Sequence, residues 1–227
     1  TGGFTQTGGI LAGTHTFNTP IGWSAGTWSA AGTTTIAAGS TLTISSVADH
    51  DFNTRAIIAN GTVNWTGGNL RSGNAGSFTI ASGGVFNDSA SKVINNDLGG
   101  TTSTFTNSGT YNKTAAGTTI FSVPFTNTGT LNVNTGTFKL DNTGAFSGAS
   151  AVAVASGATL QFNANTSVTD AASLTGAGAF SLTAGTLTLA GTFGATGGFT
   201  QTGGILAGTH TFNTPISWSA GTWSAAG

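Results

Sequence analysis

The chain has 227 residues, only 5% of them charged, and a formal net charge of −1; an average soluble protein carries about 25% charged residues. The five basic residues, Arg55, Arg71, Lys92, Lys113 and Lys139, are spread singly, which argues against a nucleic-acid partner because phosphate binding needs a field of Lys and Arg. No stretch reaches the roughly 18 apolar residues of a membrane helix, and with no cysteine neither disulfides nor cysteine-based metal sites can staple the fold. The 15 Phe, 5 Trp and regular aliphatic residues speak against disorder, which goes with few aromatics and high net charge.

The first element in chain order is a long repeat. Residues 1–32 return at residues 196–227 with one change, Gly22 to Ser217, at an offset of 195 residues. This predicts one complete long unit, residues 1–195, followed by the start of the next. With no initiator Met or signal peptide, and an opening in mid-pattern, the chain reads as a fragment of a longer protein. Inside the unit a shorter pattern runs. Ile21 and Trp23 lead across Gly26 to Trp28, and Val63 and Trp65 lead across Gly68 to Leu70. Leu131 and Val133 lead across Gly136 to Phe138, and Phe180 and Leu182 lead across Gly185 to Leu187. A sister form runs from Ile36 to Leu42 across Gly39, from Ile80 to Phe86 across Gly83 and from Val154 to Leu160 across Gly157. Apolar residues alternating at period two are the strand signature, and glycine marks the corners. Residues 45–59 and 87–100 are the least regular and are expected to form loops or distorted coils.

Short strands, glycine corners, low charge and a pattern that continues across the 195-residue join favour a parallel β-solenoid over a sandwich or propeller. Coils of roughly 20 residues would put about ten coils in one unit, rising about 48 Å. Ile36, Leu42, Ile80, Val133, Phe138, Val154, Leu160, Leu182 and Leu187 are expected to point inward and stack. The two 32-residue copies should share one backbone conformation, with position 22 facing outward.

Candidate chemistry is sparse. Asp49, His50 and Asp51, near Arg55, form the densest polar cluster. Carboxylate and imidazole suit a metal, but no second cluster supplies the remaining ligands, so the stretch reads as a solvated loop. The six acids, Asp49, Asp51, Asp88, Asp97, Asp141 and Asp170, do not cluster as proton transfer at a glycosidic bond requires. Only Asp49 and Asp51 are near neighbours among them, and adjacent residues on a strand face opposite ways. Lys139 and Asp141 lie two apart and read as a surface ion pair. His15 recurs as His210 between threonines and is expected to face outward. Trp23, Trp28 and Trp65 suit either stacking on sugars or filling the interior, and the reading favours burial. Thr14/Thr16, Thr33/Thr35, Thr41/Thr43 and Thr104/Thr106 resemble the threonine pairs of ice-binding solenoids, but their variable spacing argues for ordinary exposed threonine. Five Asn-x-Ser/Thr triplets, at Asn60, Asn64, Asn87, Asn112 and Asn165, are expected by chance in such a composition. No catalytic, cofactor or metal residue is assigned.

The phrases at Phe125–Leu140, Val154–Phe162 and Ser173–Phe193 resemble the β-helical repeats of giant bacterial surface and secreted proteins, the filamentous-haemagglutinin-like and autotransporter-associated repeat families. The resemblance implies a right-handed parallel β-helix, export, and a role as stalk, adhesin or matrix fibre. The expected function is a non-enzymatic structural segment of a tandem-repeat extracellular or cell-surface protein. Its expected partners are neighbouring units end to end, other copies in a filament, or surface glycans. The rival is a carbohydrate-binding or carbohydrate-cleaving β-helix.

Overall fold

The computed structural model describes residues 3–224, in which every regular element is a β-strand and every strand pairing is parallel. The chain winds as a solenoid with three short strands per coil, and each strand stacks on its counterpart in the coil before. The third face is the simplest, a single sheet of eleven strands from His15–Phe17 to Thr222–Trp223. The first face runs through Thr41–Ile44, Thr62–Trp65 and Val85–Asp88, and the second through His50–Asn53, Leu70–Gly73 and Thr137–Leu140. Coil length varies: paired residues lie 20 positions apart at Tyr111 and Leu131, 21 at Leu131 and Val152, and 25 at Phe86 and Tyr111.

The alternation read from the sequence explains the strands. In Thr130–Val133, Leu131 and Val133 are sealed inside while Thr130 and Asn132 lie outside. All nine residues expected inside are fully buried. Rings fill the middle of the stack, with Phe78 on Phe105 at 5.1 Å and Phe86 on Tyr111 at 4.9 Å, both near parallel. Such pairs contribute about 0.5–1.5 kcal/mol beyond area burial.

The corners need glycine for two different reasons. Gly39 has φ +79° and open space around it, so conformation alone selects it. Gly136 also has positive φ, but a Cβ there would run into the carbonyls of Ala115, Ala116 and Gly117 in the coil beneath. Here the close stacking of coils is the stronger constraint.

Two expected irregular regions are coils like the rest. Residues 45–59 contain the strands His50–Asn53 and Arg55–Ala59, and residues 87–100 contain Val93–Asn95 and the end of Val85–Asp88. The surplus residues bulge at corners, where Val47 is 95% exposed. The alternation was hidden because inward positions there hold His50, Arg55 and Asp88 in place of apolar residues.

The two copies of the long repeat stack with the same register. Phe4 pairs with Ile21 as Phe199 pairs with Ile216, and Ile10 pairs with Thr27 as Ile205 pairs with Thr222. They occupy different faces. Phe4 lies at the foot of the first face, which continues from Ile21 to Leu42, whereas Phe199 stacks on Phe180 of the second face. Phe4–Leu11 and Ile21–Trp28 each span two faces and count as two segments, so Phe199 lies 28 segments after Phe4; three make a coil, and the repeat advances by nine coils and one further face. Residues 1–2 and 225–227 of the two copies lie outside the described residues.

Candidate functional site

Alternation divides the Asp49–His50–Asp51 group. His50 points inward from His50–Asn53 and is fully buried. Its Nε2 lies 3.0 Å from the Trp23 carbonyl and 2.9 Å from the Ser45 carbonyl, so Nε2 carries the proton and donates. Nδ1 is buried without a partner. Desolvation holds the imidazole below its ordinary pKa, against the raising effect of those two carbonyls and of Asp49 and Asp51. Asp49 and Asp51 turn outward and converge on Arg71 of the next coil. Arg71 donates to Asp51 through Nε and Nη2 at 2.8 and 2.9 Å and reaches Asp49 at 3.4 Å. The Asp51 hydrogen bond chiefly raises the Arg71 pKa. A part-exposed ion pair of this kind is worth at most about 1 kcal/mol, and it leaves neither carboxylate free. The expected solvated loop is therefore half strand, with its histidine in the core.

Arg55 does not join this group. It starts Arg55–Ala59 facing inward and is sealed from solvent. Its guanidinium donates to Thr34 Oγ1 at 2.6 Å and to the carbonyl of Gly13 at 2.7 Å, with that of Ser29 at 3.4 Å. Burial lowers its pKa. The side chain ties its own coil to the two before it.

Sequence reasoning missed a second polar cluster. Asp88 and Lys113 pair in register on the first face, both inward and both inaccessible. Asp88 accepts from the Tyr111 hydroxyl at 3.0 Å, from Thr119 Oγ1, and from the backbone N–H of Ala90 at 3.1 Å. Desolvation raises its pKa in spite of these bonds and of Lys113. Burial, and then the Asp88 charge, push the Tyr111 phenol well up. The Lys113 ammonium donates to Ser91 Oγ at 3.0 Å and the Ala115 carbonyl at 2.6 Å, and burial lowers its pKa. Tyr111 in an otherwise phenylalanine-filled stack is the one sequence signal that a buried acceptor lies nearby.

The remaining candidates sort by face. Lys139 Nζ meets Asp141 at 2.9 Å outside the second face, as expected. Trp23, Trp28 and Trp65 are fully buried. Trp23 and Trp28 stack at 4.2 Å, and Trp28 Nε1 donates to Gln6 Oε1 at 2.6 Å. His15 and His210 correct the expectation of an outward place. They pair in register with Thr34 and Gly191 on the inward side, where the period-two count from Phe17 and Phe212 puts them. An open hollow beside His210 and Asp170 offers one imidazole and one carboxylate. Among the described residues no group of three or more His, Cys, Asp or Glu is placed to hold a metal. Among the described residues no helix is long and apolar enough to cross a membrane.

What the surface presents is repetition. On the first face Asn64, Asn87, Asn112 and Asn132 stand outward in one column, each amide bonded to the next at 2.9–3.0 Å. Comparison with protein-family models, curated proteins and solved structures gives no match.

Proposed function

We propose that this chain is a structural stalk or fibre segment of a tandem-repeat bacterial surface or secreted protein, of the filamentous-haemagglutinin-like or autotransporter-associated kind. In this reading the helix is right-handed, as parallel crossovers almost always are, and the segment carries no catalysis. The observation that supports it is the join. Residues of the second copy continue the ladders of the first unit, with Phe180 on Phe199 and Leu187 on Leu206, and within the second copy Phe199 pairs with Ile216 as Phe4 pairs with Ile21. A solenoid in which each coil touches only its neighbours gains length from every copy without a new interface. The partner is the next unit end to end. Phe4 is 40% exposed at one end, and Trp218 and Trp223 are 55% and 46% exposed at the other. The carbohydrate-cleaving rival has less support, since the paired carboxylates are held by Arg71 and Asp88 is sealed.

The test is to extend the chain by one further 195-residue unit and measure its length by small-angle scattering or electron microscopy. Nine and one-third coils should add about 45 Å to a rod of unchanged width. A wider or folded-back particle would overturn the reading, as would polysaccharide turnover that is lost in Asp49→Ala.

A further inference from the structure

The threonine pairs have variable spacing in the sequence, yet the structure brings three of the four onto one face in register. On the third face Thr16 pairs with Thr35, Thr79 with Thr106, Thr106 with Thr126, and Ser167 with Thr188. Those partners are 19, 27, 20 and 21 residues apart. The corners absorb the difference, the longest interval passing through the bulge at residues 96–103. A second column runs two residues earlier, where Ser77 pairs with Thr104, and it is broken at Ala56, Pro124 and Asn165. Ala56, Ile58 and Ala145 interrupt the hydroxyls without adding charge, and only Ile58 is larger than threonine.

The result is a two-dimensional array with a repeat of about 4.8 Å across strands and about 6.6 Å along them. Each threonine offers a hydroxyl that donates and accepts, a methyl, and a χ1 stiffened by β-branching. The ligand that fits must repeat in the same way. It must also be neutral, because outward charges on the strands, Asp51, Arg71 and Lys139, lie on the second face and none on the third. Flat polysaccharides favour exposed rings standing on the face; Trp23, Trp28 and Trp65 are buried, and the half-exposed Trp218 and Trp223 pair in register with buried Gln201 and Leu206, in inward positions at the open end. An ordered layer of water has both hydrogen-bonding polarities, no charge and a short repeat.

We propose that the third face is an ice-binding surface, its ligand the water lattice of a growing ice crystal. The inference does not depend on the stalk reading. The whole chain is tested by nanolitre osmometry, with circular dichroism to confirm the fold. The wild type should shape ice crystals and open a gap between melting and freezing. Thr79→Lys and Thr106→Lys should lose that gap, and Thr110→Lys, outward on the first face, should keep it. Thr106→Tyr, whose side chain suits a strand as well as threonine does, should also lose it by lifting the crystal off the face. Folded wild type without effect on ice would overturn the proposal. So would equal loss in Thr110→Lys, or binding to crystalline cellulose or chitin with no effect on ice.

Discussion

The two copies of the 32-residue segment are one sequence in two settings. Their internal bonds agree: Gln6 and Gln201 each donate to a corner glycine carbonyl at 3.2 Å and each accept from a tryptophan Nε1 at 2.6 Å. Their strands are delimited differently. The first copy holds the continuous strands Phe4–Leu11 and Ile21–Trp28, and in the second the same residues break at the glycine corners into Phe199–Gln201, Ile205–Ala207, Ile216–Trp218 and Thr222–Trp223. Their surroundings are reciprocal. Phe4 is 40% exposed where Phe199 is covered, and Trp23 and Trp28 are covered where Trp218 and Trp223 are about half exposed. Each copy lacks the layer that the other has. Local geometry is thus written in the segment, while burial depends on a coil above or below.

That comparison can be broken most directly at the tryptophans. Trp28→Ala should cost about 3–5 kcal/mol in urea unfolding, as for other buried aromatics, and Trp223→Ala much less. Equal losses would mean that coverage does not set the energy. At Gln6 the effect should be smaller. Gln6→Leu strands the buried Trp28 Nε1, a penalty of about 1–3 kcal/mol, whereas Gln201→Leu leaves Trp223 Nε1 within reach of water. Thermal melts of the two variants would show the inequality.

The first copy also meets His50, which donates to the Trp23 carbonyl from outside the 32-residue segment. Its folded-state pKa lies below the ordinary 6.5, so the unfolded chain takes up the proton first as pH falls. The stability that neutral His50 supplies is full above about pH 6.5 and is lost as pH falls through the folded value, with a slope of at most about 1.4 kcal/mol per pH unit. Asp88, raised by burial, contributes the opposite sign above the ordinary carboxylate range. Subtracting the unfolding profile of His50→Gln isolates the histidine, and parallel profiles would sink this prediction. The smallest effect is expected from Gly22→Ser, which makes the copies identical. A Cβ at Gly22 meets Thr5 Cγ2 at 3.3 Å, an outward contact that should change stability by no more than about 0.5 kcal/mol.

Most of the fold was legible and little of the polar chemistry. Leu131, Val133 and Phe138 announce an inward row because apolar alternation follows the pleat. His50, Arg55 and Asp88 occupy the same inward phase, but a polar residue in an inward position looks like a loop until its partners are known. Those partners are distant in sequence: Arg55 meets Gly13 and Thr34, and Asp88 meets Tyr111 and Thr119. The alignment of the threonine pairs was hidden in the same way. Their intervals differ, and only the paired strands reveal that the corners restore the register.

By itself the sequence determined the strand period, the glycine corners, the buried row and the near-identity of the two copies, because each rests on a residue and its immediate neighbours. Only the tertiary structure decided which face each strand joins. Face identity accumulates over every corner that precedes it, so Phe4 and Phe199, alike in all local respects, stand on different sides of the solenoid.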